Sequence, residues 1–296
     1  QVLALWSGLG YYQRARNLLA CARTLMADHG GRFPDSAAQL ALLPGIGPST
    51  AAAIAATVYQ ERAAILDGNV KRVVTRCFGI DGFPGEKAVE NSLWSLVETL
   101  LPASSQDMVA YTQGLMDLGA TLCTPRKPAC LMCPWSELCA AREAGDPERL
   151  PVKTRKLKRG TREHWWLWLV RQAPSGEQVW LEQLPDTGVW AGLWTLPLLD
   201  DEAALAALLG APHAAALELQ PRLKHVLTHL DWWLHPRRLV LTDAQAEALT
   251  PALAARHAQV GVPADGRIVT QGGRWVAVDD LAAWGLPAPV RKLLQP

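Results

Sequence analysis

Four of the chain's six cysteines lie within seventeen residues, in the stretch CTPRKPACLMCPWSELC. The spacing is C-x6-C-x2-C-x5-C, formed by Cys123, Cys130, Cys133 and Cys139. Thiolates are soft ligands that bind zinc, copper(I) or iron–sulfur clusters. Structural zinc usually uses two separated C-x2-C pairs, whereas this stretch has one close pair flanked by two wider arms. The spacing therefore predicts a metal centre, and it favours an iron–sulfur cluster over zinc.

The rest of the sequence indicates a reducing compartment for these thiols. No apolar run approaches the ~18 residues needed to span a bilayer. The opening QVLALWSGLG lacks the charged start and the cleavage site of a signal peptide. We therefore expect a cytoplasmic protein with no membrane partner, in which clustered thiols favour metal binding over disulfides. The other two cysteines, Cys21 and Cys77, lie in apolar helical contexts and are interpreted as buried thiols.

Net charge does not by itself indicate a nucleic-acid partner, because the formal value is only +1. One local feature departs from this balance. Six Lys and Arg residues stand between Lys153 and Arg162, with no acidic residue among them. A solvated linker and a phosphate-binding segment both explain such a run, and taken alone the run favours the linker.

The two halves of the chain differ in pattern. Residues 1–150 have the apolar spacing of helices joined by short loops, with no alternating strand before the cysteines. One of these helices, in DSAAQLALL, has Asp35 as its predicted N-cap. Further on, HWWLWLVRQ and QVWLEQL predict two strands around a turn, and LKHVLTHLDWWLHPRRLVLT predicts another strand pair. We therefore predict a mainly α domain at 1–150, a basic linker at 151–162 and an α+β domain at 163–296.

Two short segments of the helical half combine turn residues with charge. In LPGIGPST, Gly45 and Gly47 allow a sharp turn and expose N–H groups at the start of the next helix, which suits a phosphate oxygen. An ordinary helix–helix turn explains the same two glycines. Further along, ILDGNVKRV places the carboxylate of Asp67 after an apolar stretch and before Lys71 and Arg72. The presence of this second segment adds weight to the phosphate-binding interpretation.

These segments, in this order, resemble a known family. LPGIGPSTA, ILDGNVKRV and the cysteine motif are similar to the helix-hairpin-helix DNA glycosylases that carry a [4Fe–4S] cluster. LWSGLGYYQRARNL and GVWAGLWTLP narrow the resemblance to the MutY family of adenine DNA glycosylases, over essentially the whole chain. The resemblance implies a mainly α helix-hairpin-helix glycosylase domain with a cluster loop at 123–139. A C-terminal α+β Nudix (MutT)-like domain would follow it.

The resemblance also implies an activity, because the family removes adenine mispaired with 8-oxoguanine or guanine in double-stranded DNA during base excision repair. The adenine is flipped out of the stack, since its glycosidic bond is inaccessible in the duplex. Departure of the base leaves an oxocarbenium-like sugar, and Asp67 matches the carboxylate that stabilises this charge. Asn69 would orient that carboxylate and the sugar. We expect a monomer, associated with the nucleoid through its DNA.

Position 49 separates the family from its bifunctional relatives. Endonuclease III-type enzymes carry a Lys there, whose amine attacks the sugar to form a Schiff base. Ser49 cannot form an imine, and DGNV stands where those relatives carry a D-T-H type sequence. Both features imply a monofunctional enzyme with water as the nucleophile. Lys71, the nearest amine in sequence, is interpreted mainly as a phosphate or structural contact.

Further residues match the family's DNA contacts. Tyr11 matches the tyrosine that wedges into the stack beside 8-oxoguanine. The cluster is not the reagent of the reaction; it shapes a loop whose Arg126 and Lys127 can face DNA phosphates. With the hairpin residues included, the predicted DNA-binding set is Tyr11, Gly45, Gly47, Ser49, Lys71, Arg126 and Lys127.

The second domain resembles a Nudix fold without the hydrolase chemistry. After GVWAGLWTLP a hydrolase would show a Glu-rich R-E-x-x-E-E helix, whereas this chain has LLDDEAALAALLG. A recognition role therefore remains. In the family a Phe-Ser-His loop reads 8-oxoguanine, and the matching residues are Leu227, Thr228 and His229. A hydroxyl and the His are retained, while Leu replaces the aromatic ring.

One part of the family's chemistry does not appear in the sequence. A Glu on a helix N-terminal to LWSGLGYY protonates the departing adenine, whereas the first Glu here is Glu61. We therefore expect the sequence to be N-terminally incomplete, and a lesion-binding fragment that does not cut is the alternative function. Ser49 argues against a bifunctional lyase. A zinc protein that binds DNA structurally is the remaining alternative, and a brown colour would separate an iron–sulfur protein from it.

Overall fold

The structure of the chain is a computed structural model that describes residues 2–153, 159–256 and 270–294. Within those ranges, no helix is both long enough and apolar enough to cross a membrane. Contacts along the chain divide it into two compact units. The helical unit comprises residues 17–156, and the C-terminal unit combines residues 1–16 with 157–296.

The first sixteen residues belong to the C-terminal unit, although the sequence pattern places them in the helical domain. They contain helix α1 (Val2–Leu5) and a loop. The Oγ atom of Ser7 donates to the carbonyl of Leu286 at 2.7 Å, and the hydroxyl of Tyr12 donates to the same carbonyl at 3.3 Å. These contacts explain why residues 1–16 belong to the C-terminal unit. Of the predicted linker, residues 154–158 lie outside the described residues.

The helical unit consists of helices joined by short loops and, among its described residues, has no β-strand, as the sequence pattern predicts. In the helix at Pro48–Tyr59, alanines recur on a buried face, so that neighbouring helices can approach closely. The helices are α2 (Gln13–Asp28), which the unit boundary crosses, α3 (Ala37–Leu40), α4 (Pro48–Tyr59), α5 (Gly68–Cys77), α6 (Lys87–Thr99), α7 (Met108–Asp117) and α8 (Ala140–Glu143).

The main core of the helical unit forms around α5 and α6. Val70, Val73 and Val74 lie at helical spacing on one face of α5 and are buried. They pack with Leu93 and Val97 of α6 in one apolar cluster. Burial of each such side chain contributes about 1.5–3 kcal/mol to folding. This face therefore holds the start of α5 in a fixed position.

The start of α3 differs by one residue from the predicted one. Ser36, not Asp35, is the N-cap, because Ser36 has an extended backbone and its Oγ atom accepts the N–H of Gln39 at 3.4 Å. The start of α4 agrees with the sequence, since Pro48 occupies its first turn directly after Gly47.

The cysteine motif follows α7 without a long connection. The chain widens into a π-helical turn (Leu118–Leu122) and then enters the cluster loop, residues 123–139. Two short 3-10 turns (Cys130–Met132 and Ser136–Leu138) shape this loop before α8 begins.

The C-terminal unit is an α+β fold built on a mixed sheet. Among its described residues the sheet has eight strands: β1 (Gly160–Ala173), β2 (Gly176–Gln183), β3 (Trp194–Thr195), β4 (Leu198–Leu199), β5 (Glu218–Leu219), β6 (Leu223–Val226), β7 (Leu230–Thr242) and β8 (Gly272–Ala277). Its helices after α1 are α9 (Glu202–Leu209), α10 (Ala211–Ala215), α11 (Asp243–Ala255) and α12 (Ala288–Leu294).

The sheet follows the path β3-β2-β1-β7-β5, with β4 paired to β1, β6 to β7 and β8 to β2. The predicted hairpin of β1 and β2 and the predicted antiparallel pair of β6 and β7 are confirmed. β1 and β7 run parallel, and Gly160 pairs with Leu230. Strand β1 thus begins within the segment predicted as a linker, and its first residues lie beside the turn between β6 and β7.

Tryptophans of the second half form part of its core. Trp166 and Trp232 are almost completely buried in one apolar cluster. Trp190 stacks on both, with ring centroids 6.0 Å from Trp166 and 4.6 Å from Trp232. Stacked rings of this kind bury large apolar surfaces and restrict the packing to one geometry.

Candidate functional site

Asp67 stands where the chain leaves the core of the helical unit. Residues 64–66 are buried, whereas Asp67 is partly exposed. Its Oδ1 atom accepts the N–H of Val70 at 2.8 Å, so Asp67 is the N-cap of α5. The carboxylate is therefore fixed at the positive end of a helix while a ligand can still reach it.

The structure brings the hairpin loop and Asp67 together through Ser49. The Oγ atom of Ser49 accepts the N–H of Leu66 at 3.0 Å, which ties the first turn of α4 to the residue before Asp67. Two segments that are separate in the sequence therefore contribute to one site.

The two glycines of the hairpin loop have different structural roles. Gly45 has a φ of +80°, and an added Cβ would lie 2.5 Å from the Cβ of Asn17, so backbone and space both require glycine. Gly47 has an ordinary φ of −80°, with no neighbouring atom within 4 Å of an added Cβ. Because Gly47 provides no capping side chain, the first N–H groups of α4 can meet a phosphate.

Asn69 is held by Arg72, whose burial and contacts the sequence pattern did not indicate. Nη2 of Arg72 donates to Oδ1 of Asn69 at 2.9 Å and to the carbonyl of Gly119 at 2.5 Å. Nε donates to the carbonyl of Cys123 at 2.6 Å. Burial lowers the pKa of Arg72, and these acceptors compensate for the loss of its hydration. The guanidinium thus connects Asn69 to the first cysteine of the cluster loop.

The sequence indicates either a phosphate contact or a structural contact for Lys71, and the structure shows the structural one, with Glu90. Its Nζ atom lies 2.6 Å from Oε1 of Glu90 on α6, and both side chains are partly buried. The hydrogen bond from Lys71 lowers the pKa of the Glu90 carboxyl. Contact between Lys71 and DNA remains a prediction.

The four cysteines of the cluster loop line a single cavity, and all four are free thiols with partial exposure. Within the described part of the chain, no three His, Cys, Asp or Glu side chains lie close enough together to hold a single metal ion. Burial, and then repulsion from Cys139 and Cys123, raises the pKa of the Cys130 thiol. A cationic metal centre would offset both effects. Soft donors arranged around a cavity fit an iron–sulfur cluster.

Arg76 borders this cavity and was also not indicated by the sequence pattern. It is only 2% exposed, and its Nη1 atom donates to Sγ of Cys123 at 3.3 Å and to the carbonyl of Thr124 at 2.7 Å. Its Nε atom donates to the carbonyl of Leu150 at 2.9 Å. A hydrogen bond from a fixed guanidinium orients the sulfur of a metal ligand. Arg76 therefore supports the first ligand of the motif.

The two cysteines outside the motif differ from each other. Cys21 is buried in an apolar cluster, as predicted. For Cys77 the prediction is wrong, because this residue ends α5 beside the cluster loop and is only partly buried. Its Sγ atom lies 3.8 Å from the carbonyl oxygen of Leu138. Partial burial, and then repulsion from the motif cysteines, with Cys139 first, raises its pKa to about 11.

Arg126 and Lys127 are exposed on the first arm of the cluster loop. The backbone N–H of Lys127, a residue with a φ of +48°, donates to Oε1 of Glu148 at 2.8 Å. Neither of the two basic side chains forms an ion pair within the part of the chain that the structure describes. Both charges thus lie on the surface in a fixed turn, as a phosphate contact requires.

In the C-terminal unit, the predicted recognition residues line one cleft together with Tyr11. The cleft has a volume of about 590 Å³, which is in the range of small-molecule sites. Leu227, Thr228 and His229 form the turn between β6 and β7. Tyr11 is 78% exposed and has a φ of +47°. A non-glycine residue in this conformation is uncommon, and such residues cluster at functional sites.

Two further residues of the cleft were not singled out from the sequence. Trp190 has a φ of +60°, and its ring lies 5.0 Å from that of His225. Burial lowers the pKa of His225, which keeps this imidazole neutral at neutral pH. Imidazole and hydroxyl groups that line such a cleft can hydrogen-bond the edge of a flat base.

Three family models match the chain in succession. Residues 1–99 match the HhH-GPD superfamily of base excision DNA repair proteins, and residues 123–139 match the iron–sulfur binding domain of endonuclease III. Residues 166–296 match the NUDIX domain. The predicted fold class, a helical glycosylase domain with a cluster loop followed by a Nudix-like α+β domain, is confirmed. An iron–sulfur cluster is the cofactor that the second match implies.

Several adenine DNA glycosylases are similar to the chain. The protein of Buchnera aphidicola subsp. Schizaphis graminum is 36% identical over 67% of this chain and 56% of its own length. That of subsp. Baizongia pistaciae is 30% identical over 81% of this chain and 67% of its own length. The mouse protein is 31% identical over 85% of this chain and 58% of its own length. The chain thus spans between about half and two thirds of these relatives, and it belongs to the adenine DNA glycosylase family.

Proposed function

We propose that this protein is a monofunctional adenine DNA glycosylase that hydrolyses the N-glycosidic bond of adenine paired with 8-oxoguanine or guanine in double-stranded DNA. The observation that carries the proposal is the position of Asp67. Its carboxylate is partly exposed and accepts the N–H of Val70, while the N–H of the preceding residue, Leu66, donates to Ser49 beside the hairpin loop. Membership of the adenine DNA glycosylase family supports the choice of base.

Asp67 and Asn69 are the residues to which we assign the chemistry. Loss of adenine from a flipped nucleotide leaves positive charge on the sugar, and a fixed carboxylate stabilises that charge. Because Oδ1 of Asn69 accepts from Arg72, the Nδ2 group of Asn69 is the part left to donate. A donor beside the carboxylate would orient the sugar through one of its oxygens.

Water is the nucleophile in this proposal. Ser49 stands at the position where a lyase carries its amine, and a hydroxyl cannot form an imine. Lys71, the nearest amine in sequence, is held by Glu90, whose Oε1 atom lies 2.6 Å from Nζ. The product would therefore be an abasic site with an intact strand.

Recognition of 8-oxoguanine is assigned to the cleft of the C-terminal unit. Thr228 and His229 offer a hydroxyl and an imidazole, which can hydrogen-bond the altered edge of the base. Tyr11 is exposed in the same cleft and would wedge between bases. Leu227 takes the place of an aromatic residue, so stacking at that position contributes less.

The four cysteines of the motif would hold a [4Fe–4S] cluster. When bound, this group supplies four linked thiolate bonds that make the loop rigid. Arg76 would place a positive charge beside Cys123, and Arg126 and Lys127 would face DNA phosphates from the same loop. We expect the protein to act as a monomer in the cytoplasm, where its DNA partner lies in the nucleoid.

The test uses an excess of the purified protein with a duplex that carries one 8-oxoguanine:adenine pair. We expect strand cleavage at the adenine position, and only after alkali, because an abasic site is the product. An 8-oxoguanine:cytosine duplex is the control and should stay intact. Cleavage before alkali would indicate a lyase. Tight, lesion-selective binding without cleavage would indicate the alternative function, a lesion-binding protein that does not cut.

A further inference from the structure

The turn between β6 and β7, residues 227–230, is fastened by the residues that begin β1. Inside the turn, the N–H of Leu227 donates to the carbonyl of Leu230 at 2.8 Å. From outside it, the N–H of Gly160 donates to the carbonyl of His229 at 3.0 Å. The parallel pairing of β1 with β7 therefore brings the end of the basic run against the proposed recognition turn.

Arg159, the residue before this strand, contacts the turn at both of its ends. Its Nη2 atom donates to the carbonyl of Leu227 at 2.6 Å and lies 2.6 Å from Oδ1 of Asp231. The other carboxylate oxygen of Asp231 lies 2.7 Å from Nζ of Lys224. One guanidinium thus bridges the first residue of the turn and the residue that follows it, and its charge is balanced by a carboxylate of the same hairpin.

We propose that Arg159 is a positioning residue for lesion recognition, which fixes the backbone of the turn so that Thr228 and His229 meet the damaged base in one geometry. The proposal rests on the proposed function, since it assumes that the cleft receives 8-oxoguanine. It also reassigns one member of the basic run, because the sequence pattern alone indicates a linker or a phosphate contact for Arg159.

Two physical reasons connect the contact of Arg159 with selectivity for 8-oxoguanine over an undamaged base. A turn that is ordered before binding loses less conformational entropy when the base arrives. Hydrogen bonds to a base edge are also directional, so a shifted backbone would misplace both side chains that the turn presents. With Leu227 in place of an aromatic ring, the geometry of Thr228 and His229 carries a larger share of the discrimination.

Arg162 provides the matched control. It belongs to the same basic run and lies exposed on β1, and its side chain forms no hydrogen bond or ion pair with any other described residue. Arg162→Ala therefore removes the same charge as Arg159→Ala without touching the turn.

The experiment measures dissociation constants by fluorescence anisotropy, with the adenine nucleotide fluorinated at the 2′ carbon so that its bond resists hydrolysis. The readout is selectivity, the ratio of the constant for a thymine:adenine duplex to that for an 8-oxoguanine:adenine duplex. We expect Arg159→Ala to lower this ratio about tenfold, as loss of a hydrogen bond from a charged group would. Arg162→Ala should leave the ratio unchanged. Equal weakening by both variants at constant selectivity would overturn the proposal and make Arg159 a phosphate contact.

Hydrogen exchange of the free protein tests the same idea without DNA. In Arg159→Ala the amides of Leu227 and Gly160 should exchange faster than in the wild type, and in Arg162→Ala they should not. Unchanged exchange in both variants would contradict the positioning role. Should Arg159→Ala fail to fold, Arg159→Lys takes its place with the same criteria, since Lys keeps the charge but loses the planar fork. A wild-type selectivity near one would refute the proposed function, whereas the exchange result would still decide on the role of Arg159.

Discussion

The guanidinium of Arg72 donates a hydrogen bond to Oδ1 of Asn69 at 2.9 Å, and its Nε atom donates to the carbonyl of Cys123 at 2.6 Å. One buried side chain thus joins the segment of the proposed catalytic residues to the first cysteine of the cluster loop. A shift of the loop at Cys123 would reach Asn69 through a single residue.

Replacement of Arg72 by Met should weaken both stability and cleavage. The change leaves the Asn69 amide and two backbone carbonyls without their donor, which should lower the free energy of unfolding by about 3 kcal/mol. Urea unfolding measures that loss, and single-turnover cleavage measures the effect on Asn69. Arg23→Met, a change at an exposed arginine of α2, is the control. Normal cleavage by a folded Arg72→Met protein would show that Asn69 does not need this contact.

Asp67→Asn should abolish most cleavage while it preserves the fold. Asn is as good an N-cap as Asp, so α5 keeps its first hydrogen bond and the melting temperature should change little. Loss of the negative charge should slow single-turnover cleavage by about 100-fold or more, since the developing charge on the sugar is no longer stabilised. Binding to the 8-oxoguanine:adenine duplex should remain. If the Asp67→Asn variant cleaved at the wild-type rate, another group would have to stabilise the charge on the sugar.

Gly45→Ala and Gly47→Ala form a matched pair in the hairpin loop. Ala at position 45 must adopt a left-handed conformation and would place its Cβ 2.5 Å from that of Asn17. We expect a loss of at least about 2 kcal/mol in the free energy of unfolding. At position 47 the space is open and φ is ordinary, so the loss should be about 1 kcal/mol or less. Denaturant unfolding compares them, and equal losses would contradict this difference.

The double variant Arg126→Ala and Lys127→Ala should weaken binding to all duplexes alike. Two phosphate contacts fewer should reduce the slope of log affinity against log salt by about 2. Anisotropy titrations at several salt concentrations measure this slope for damaged and undamaged duplexes. A loss confined to duplexes with 8-oxoguanine would refute the phosphate-contact role and move both residues to lesion recognition.

The ion pair of Lys71 and Glu90 should make stability depend on pH in a defined direction. The folded pKa of Glu90 lies below its ordinary value of 4.5, because Lys71 donates to its charged form. The pair therefore stabilises the fold above that ordinary value, and the effect is lost as pH falls through the lowered pKa. Melting temperatures of wild type and Glu90→Gln should differ at pH 7 and converge as the pH falls below the lowered pKa of Glu90. Glu86→Gln, at the exposed N-cap of the same helix, is the control.

The sequence by itself determined the features that depend on neighbouring residues. The spacing of apolar side chains placed helices such as α4 and strand pairs such as β1 with β2, because each periodicity is a local property. The cysteine spacing identified the four thiols that line one cavity, and the turn residues located the hairpin loop, whereas its position beside Asp67 depends on the contact between Ser49 and Leu66. The N-cap of α3 was missed by one residue, since Asp35 and Ser36 can both cap and only backbone geometry selects between them.

Only the tertiary structure decided the contacts between distant segments. Arg72 and Arg76 lie on the side of α5 away from its buried valines, where the local pattern predicts exposed polar residues, and yet both are buried. Their acceptors come from residues about fifty positions or more away, around Cys123 and Leu150. Likewise, Arg159 meets the turn at Leu227 only because β1 and β7 pair in parallel. A buried or bridging charge is stable only where distant groups satisfy it, and no local periodicity records which groups those are.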